Sequence, residues 1–317
     1  MAGAAMNVAA GRWGVERGAA IVLAMLLAAL AATIAATLLW QQQRWVNEHE
    51  HRRDQVQAQA LAMAGVQWAR QIVRDNAGGN VVDLGQPWAL KLPALPIENG
   101  SIGGYIVDAQ SRINIDNLAG APVAPKPTRN ALERLFAELG LPAGLLDAIT
   151  DWLDADDRVS GPGGAEDAWY LGRTPPGLAA NAAVRRTAEL LAVRGADQAL
   201  IARALPFISA LDPPAAVNVN TAPPEVLIAL VGGLDATGAA ALLASRKEAP
   251  FTTVADFRSR LPRPDLVVDE TLLTVKSDWF EVTIEARQGD TLARARALLH
   301  RSAATNTWPD IVWQVVE

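Results

Sequence analysis

The chain has 317 residues, half of them apolar, with 34 acidic and 28 basic side chains and a net charge of −6. That suits one large folded domain or two modest ones, and the acidic balance opposes general nucleic-acid binding, which needs phosphate neutralised by Lys and Arg. The lack of cysteine excludes disulfides, thiolate metal sites and cysteine nucleophiles. Only His49, His51 and His300 are present to serve a histidine metal centre or a Ser-His-Asp triad, and each reads as an ordinary surface residue.

The N-terminal segment "RWGVERG" precedes an apolar run. From Ala19 to Trp40 there are 22 residues without a charge, roughly 33 Å as a helix and enough to cross a bilayer core. Arg12 and Arg17 lie before it, which favours a cytoplasmic N-terminus. Three readings fit. One is an uncleaved anchor. Another is a secretory signal cut near Ala29-Leu30-Ala31, although the apolar run continues well past that site. The third is a prepilin leader cut between Gly18 and Ala19, which retains the helix.

Beyond Trp40 the segment to Asn76 has no proline and is rich in Gln, Arg, Ala and Glu, so the helix is expected to run on from Ala19 to about Arg74. Leu61, Ala64, Gly65, Trp68 and Ile72 recur at helical spacing and predict one apolar stripe for a globular body. The predicted first segment is therefore residues 19–76, with 19–40 in the membrane.

Residues 77–120 change period. Pro87, Pro93 and Pro96 predict an irregular loop over 81–99. Two alternating runs, Ile102 to Asp108 and Arg112 to Asp116, predict a hairpin turning at Asp108 to Ser111. A proline-rich break, "APVAPKP", opens a helical region spanning residues 121–275. It carries a faint repeat, "LERLFAELGLPAGLLDAITDW" against "PEVLIALVGGLDATGAAALLASR", each read as helix, glycine turn, helix. Asp147, Asp151 and Asp235 flank these turns, so a packing role is expected rather than phosphate binding. Thr221 is a candidate cap for the helix beginning at Pro223 or Pro224. Strand character returns over 276–317: "WFEVTIEARQGDTLARARALLH" predicts a hairpin turning at Gln288-Gly289-Asp290, and "DIVWQVVE" a last strand. The predicted class is α+β: a long N-terminal helix on a small antiparallel sheet, with a large helical domain inserted in the sheet.

The loop "DADDRVSGPGGAED" sets Asp154, Asp156, Asp157, Glu166 and Asp167 around three glycines and one proline, with Arg158 as its only base. The residues alone leave open a solvated acidic loop and a cation site. Arg158 and the spacing to Glu166 exclude an EF-hand. Phosphoryl or glycosyl transfer at Asp154-Ala155-Asp156 would need a phosphate cradle, a basic clamp and a general base, none of which is evident, so no enzymatic activity is expected.

Taken together, "ERGAAIVLAMLL", "GGYIVDAQSRINIDNL", "DWLDADDRVSGPGGAEDAWY", "VNVNTAPPEVLIAL" and "SDWFEV", in this order along nearly the whole chain, resemble the K-type minor pseudopilins of the type II secretion system. The resemblance implies a leader over residues 1–18, cut between Gly18 and Ala19 by prepilin peptidase, and a methylated mature terminus. It implies an apolar residue, Leu23, where most pseudopilins carry Glu at the fifth mature position. A lone carboxylate in lipid needs a partner, and Leu23 needs none. It implies a single-pass inner-membrane protein with its bulk in the periplasm, partnered by I- and J-type minor pseudopilins at the tip of a pseudopilus that supports export of folded proteins. It also implies calcium in the helical insert. On that basis Asp154, Asp156, Glu166 and Asp167 are the expected ligands, with Asp151 and Asp157 as further candidates. The competing expectation is a membrane-anchored periplasmic binding protein with the same helix-hairpin-helix units and no filament role.

Overall fold

The computed structural model describes residues 13–76, 79–119, 126–302 and 307–317. Helix α1 (Trp13–Asn76) is unbroken and roughly 95 Å long. It is long and apolar enough to cross a membrane, and every residue from Gly18 to Glu50 is exposed. Where the apolar run ends, Arg44 lies over the Trp40 ring at 4.9 Å and Trp45 meets His49 edge-on at 4.2 Å. Amphipathic rings and a cation at this level suit a bilayer surface.

The second half of α1 lies on a five-stranded antiparallel sheet formed by β1 (Leu92–Ile97), β2 (Gly100–Asp108), β3 (Trp279–Gln288), β4 (Thr291–His300) and β5 (Asp310–Val316), adjacent in that order. The buried stripe is Ala58, Ala62, Val66, Ala69 and Val73, none more than 2% exposed. It is rotated from the expected one: Ala64 and Trp68 face outward. The small side chains explain the choice. Ala286, Ala293, Ala295 and Ala297 line the facing sheet, so helix and sheet approach closely. A Cβ at Gly65 would sit 2.6 Å from Cγ2 of Ile284, closer than van der Waals contact allows.

Two expectations fail at the first strands. Residues 92–97 form an edge strand instead of a loop, because Pro93 and Pro96 lack only the N–H that an edge position can spare. The hairpin between Ile102–Asp108 and Arg112–Asp116 does not form. β2 pairs along its whole length with β3, from Gly100 opposite Gln288 to Asp108 opposite Phe280, while Ile113–Asn114 turns away to pair in parallel with Ile208–Ser209. Local alternation announces a strand but not its partner, and this partner lies far along the chain.

Residues 109–278, inserted between β2 and β3, carry the described helices α2 (Lys126–Glu138), α3 (Ala143–Leu153), α4 (Asp167–Leu171), α5 (Gln198–Ala204), α6 (Pro224–Leu230), α7 (Ala236–Glu248) and α8 (Val254–Ser259). Apart from α4, their apolar faces share one core that includes Leu132, Phe136, Ile149, Leu227, Leu242 and Phe257. The two repeated units are α2–α3 and α6–α7. Each turns at a glycine with positive φ, +60° at Gly140 and +85° at Gly233, a conformation that glycine adopts without Cβ strain. Arg203 donates to the carbonyl of Leu139 at the first turn, and Arg263 to that of Gly233 at the second. Arg134 Nε donates to the carbonyl of Ala229 at 2.6 Å and ties the two units together. These guanidinium groups serve packing. Where insert meets sheet, Trp279 and Leu298 are buried with Ala109 and Leu211.

Candidate functional site: the acidic loop and the polar joint

The acidic loop leaves the C-terminal end of α3 and returns across that helix before α4 begins. The crossing is close, which explains its glycines. A Cβ on Gly161 or Gly164 would run into the carboxylates of Asp147 and Asp151, and one on Gly163 into the backbone of Gly144. The Asp151 Oδ1 atom accepts the Ser160 N–H at 2.8 Å and holds the return. Arg194 Nη1 donates to the Gly164 carbonyl at 2.8 Å from the other side.

This route brings Asp154, Asp156 and Glu166 together, with one carboxylate oxygen of each within 4.8 Å of the others. Asp151 is fully buried beside them, and Asp154 and Glu166 are 2% and 7% exposed. Asp151 Oδ2, Asp154 Oδ1 and Glu166 Oε1 are buried without a hydrogen-bond partner. Orphaned carboxylate oxygens are costly in a protein interior. Burial, and then the charges of Asp156 and Asp151, push the Asp154 carboxyl up to about 7. Burial, followed by the charges of Asp151, Asp154, Asp156 and Asp167, does the same for Glu166, also to about 7. Nearby Arg129 is engaged with Asp147 at 2.5 Å and Glu133 at 3.0 Å.

Two expected candidates are placed differently. Asp167 opens α4, one of its oxygens accepts the Ala179 N–H at 2.9 Å, and it stands outside the group of three. Asp157 is exposed. Asp151, by contrast, presents a buried free oxygen. The donor set is carboxylate oxygen, and it fits a hard divalent cation such as calcium.

A second polar cluster was not anticipated. At the joint between insert and sheet, Asp108 at the end of β2 is 2% exposed. Its Oδ2 accepts from Ser277 Oγ at 2.5 Å, Thr221 Oγ1 at 2.6 Å and Asn218 Nδ2 at 3.1 Å, and its Oδ1 from the Gln110 N–H at 2.8 Å. Burial still dominates and raises this carboxyl to about 6. Thr221 is therefore bound to the joint, while α6 begins at Pro224, with Pro223 preceding it. Three asparagines act as substitute strand rungs, each bonding both the N–H and the C=O of one distant residue. They are Asn114 with Leu211 (2.9 and 2.7 Å), Asn117 with Ala215 (3.1 and 3.0 Å) and Asn220 with Phe251 (2.7 and 2.9 Å). The recurring Asn and Asp in "DAQSRINIDNL" and "VNVN" are the signal in the sequence.

A family model described as type II secretion system (T2SS), protein K matches residues 111–214, and a second with the same description matches residues 217–276. A type II secretion system protein K of Aeromonas hydrophila is 36% identical over 244 residues, 70% of this chain and 73% of that protein. Its counterpart in Klebsiella pneumoniae is 30% identical over 92% of this chain and 94% of its own. Among solved structures, a chain of the GspK–GspI–GspJ complex from the enterotoxigenic Escherichia coli type 2 secretion system superposes with a TM-score of 0.72 at 25% identity. That match covers 86% of this chain and 99% of the other.

Proposed function

The chain belongs to the type II secretion system protein K family, whose members are minor pseudopilins, and from that premise we propose that it caps the tip of the pseudopilus together with I- and J-type minor pseudopilins. It is a structural component of the secretion system. The observation that carries the reading is the division of labour along α1. Its membrane half is bare on every side, while its periplasmic half covers the sheet with one alanine-rich stripe only. Trp45, Val56 and Met63 remain exposed on that half, a surface on which sister helices can pack. The insert over residues 109–278 then adds bulk that a repeating subunit would have to accommodate at every level of a filament. A single copy at the end avoids that conflict. The fold of the GspK–GspI–GspJ complex supports this reading, since the chain that this one matches was solved in complex with two such subunits.

Before extraction, α1 holds the protein in the inner membrane, with the body in the periplasm. Prepilin peptidase cuts between Gly18 and Ala19, a bond that lies within the helical stretch, and Leu23 then occupies the fifth mature position without a buried charge to satisfy. In the acidic loop Asp154, Asp156 and Glu166 hold calcium, with the free oxygen of Asp151 completing the carboxylate set. When bound, the ion supplies the positive charge that turns repulsion between α3 and the returning loop into attraction. Co-expression with I- and J-type minor pseudopilins tests the proposal: the three proteins co-purify if it holds. A chain that keeps Met1 and ignores those partners is instead a membrane-anchored periplasmic binding protein.

A further inference from the structure

One face of α3 is a line of carboxylates. Asp147, Asp151 and Asp154 follow one another at helical spacing, all three buried, with Thr150 fully buried among them. A single base enters this line. Arg129 reaches across from α2 and donates from Nη2 to Asp147 Oδ1 at 2.5 Å and from Nη1 to Thr150 Oγ1 at 3.1 Å, while its Nε donates to Glu133 at 3.0 Å. The Thr150 carbonyl accepts the Asp154 N–H at 2.9 Å, so the guanidinium sits within one turn of the acids of the loop. Its charge lowers the Asp154 carboxyl, against the burial and the neighbouring acids that raise it. Among the described residues Asp147 pairs with Arg129 alone, and Asp151, Asp154, Asp156 and Glu166 pair with no base.

Asp147 lies under the returning loop much as Asp151 does. Its Oδ2 accepts the Gly163 N–H at 3.4 Å, and a Cβ on Gly161 would meet the same oxygen. It differs in being neutralised by Arg129. We propose that Arg129 is a resident competitor of the divalent cation: by engaging Asp147 and fixing a positive charge beside the loop, it holds the affinity for calcium below what the carboxylates alone would confer. This inference rests on the calcium reading above and adds the residue that tunes it. Three features carry it. The guanidinium keeps its charge at every pH at which the protein folds, so it opposes a cation at all times. The loop does not depend on it for shape, because the Ser160 N–H on Asp151 and Arg194 on the Gly164 carbonyl hold the return. Arg129 and Asp147 also line a cleft of about 240 Å³ between α2 and α3, which admits solvent to a carboxylate left without its partner. A purely structural Arg129 would weaken calcium binding on any substitution at the pair, whereas a competing charge gives opposite signs at its two ends.

The test uses the full-length protein in detergent, stripped with EDTA, at pH 7.5. Melting temperature is read without calcium, and calcium chloride is titrated in by calorimetry. Arg129→Gln should lower the ion-free melting temperature by about 3–8 °C, because Asp147 loses its partner. The same variant should tighten the calcium dissociation constant about three- to tenfold, because the ion meets one positive charge fewer and one free carboxylate more. Arg129→Lys keeps the charge and should bind within about twofold of the unaltered chain. Asp147→Asn frees the guanidinium to face Asp154 and should weaken binding about three- to tenfold. Equal or weaker binding by Arg129→Gln, or equal or tighter binding by Asp147→Asn, overturns the proposal. If Arg129→Gln shows no cooperative melt, the sign at Asp147→Asn decides. An unaltered chain that takes up no calcium defeats the calcium reading itself, a failure distinct from a wrong sign in a chain that binds the ion.

Discussion

Replacing Asp108 by Ala tests the polar joint that couples insert to sheet. The side chain accepts four hydrogen bonds in a site 2% exposed to solvent. Removing it leaves the Ser277 hydroxyl and the Gln110 N–H without this acceptor, while Asn218 keeps the Val82 carbonyl at 2.9 Å and the Thr221 hydroxyl keeps the Asn218 carbonyl at 3.2 Å. At about 1–3 kcal/mol for each buried group left unpaired, and with partial relaxation, the expected loss is about 3–5 kcal/mol. For a body of this size that lowers the melting temperature by roughly 6–20 °C. The pH dependence has a definite sign. The folded-state value of Asp108 is raised to about 6 from 3.8, so its contribution is fully present below pH 4 and is lost as pH rises through 6. One unit corresponds to about 1.4 kcal/mol, and because the unfolded carboxyl is already partly ionised at pH 4 the gap between wild type and Asp108→Ala should be about 2–3 kcal/mol wider there than at pH 7.5. Urea unfolding of the detergent-solubilised protein at both pH values measures it. A loss under about 1 kcal/mol at both, or a gap that widens with rising pH, would refute the reasoning.

At pH 7.5 calcium should raise the melting temperature, with a stabilisation of about 2.7 kcal/mol at a hundredfold excess over the dissociation constant; Asp151→Asn and Glu166→Gln should each abolish the response in calorimetry, and Asp167→Asn should retain it. Gly65→Leu should drive α1 off Ile284 at a cost of about 1–3 kcal/mol, and Ile284→Ala in the same chain should recover part of that in thermal melts. N-terminal sequencing of the membrane-extracted protein should read Ala19 first, whereas Met1 or a start near Ala32 would exclude the prepilin leader.

The sequence announces the elements whose period is local and hides those whose partner is distant. An unbroken helix-compatible run marked α1, and alternation around Gly289 marked β3 and β4. The face that α1 buries was misjudged because Trp68 is apolar and large, while the true contact demands alanine and glycine for close approach. β1 was hidden by two prolines that an edge strand tolerates. In the acidic loop the acids around the glycines were legible as a group, whereas the buried unpartnered oxygen of Asp151 and the bond from the Ala179 N–H to Asp167 show only in the fold. The joint was least legible. Asn114, Asn117 and Asn220 look like turn residues, and only the fold reveals that they stand in for backbone pairing between segments about thirty to a hundred residues apart.

The central claim is that this subunit joins unlike sisters through α1 and ends their stack. Size-exclusion chromatography with light scattering of the full-length protein, purified in detergent with I- and J-type minor pseudopilins, tests it most directly. The account predicts one complex holding a single copy of each, which does not lengthen when more of this chain is added. A chain that elutes alone, or that adds to itself without limit, would contradict it.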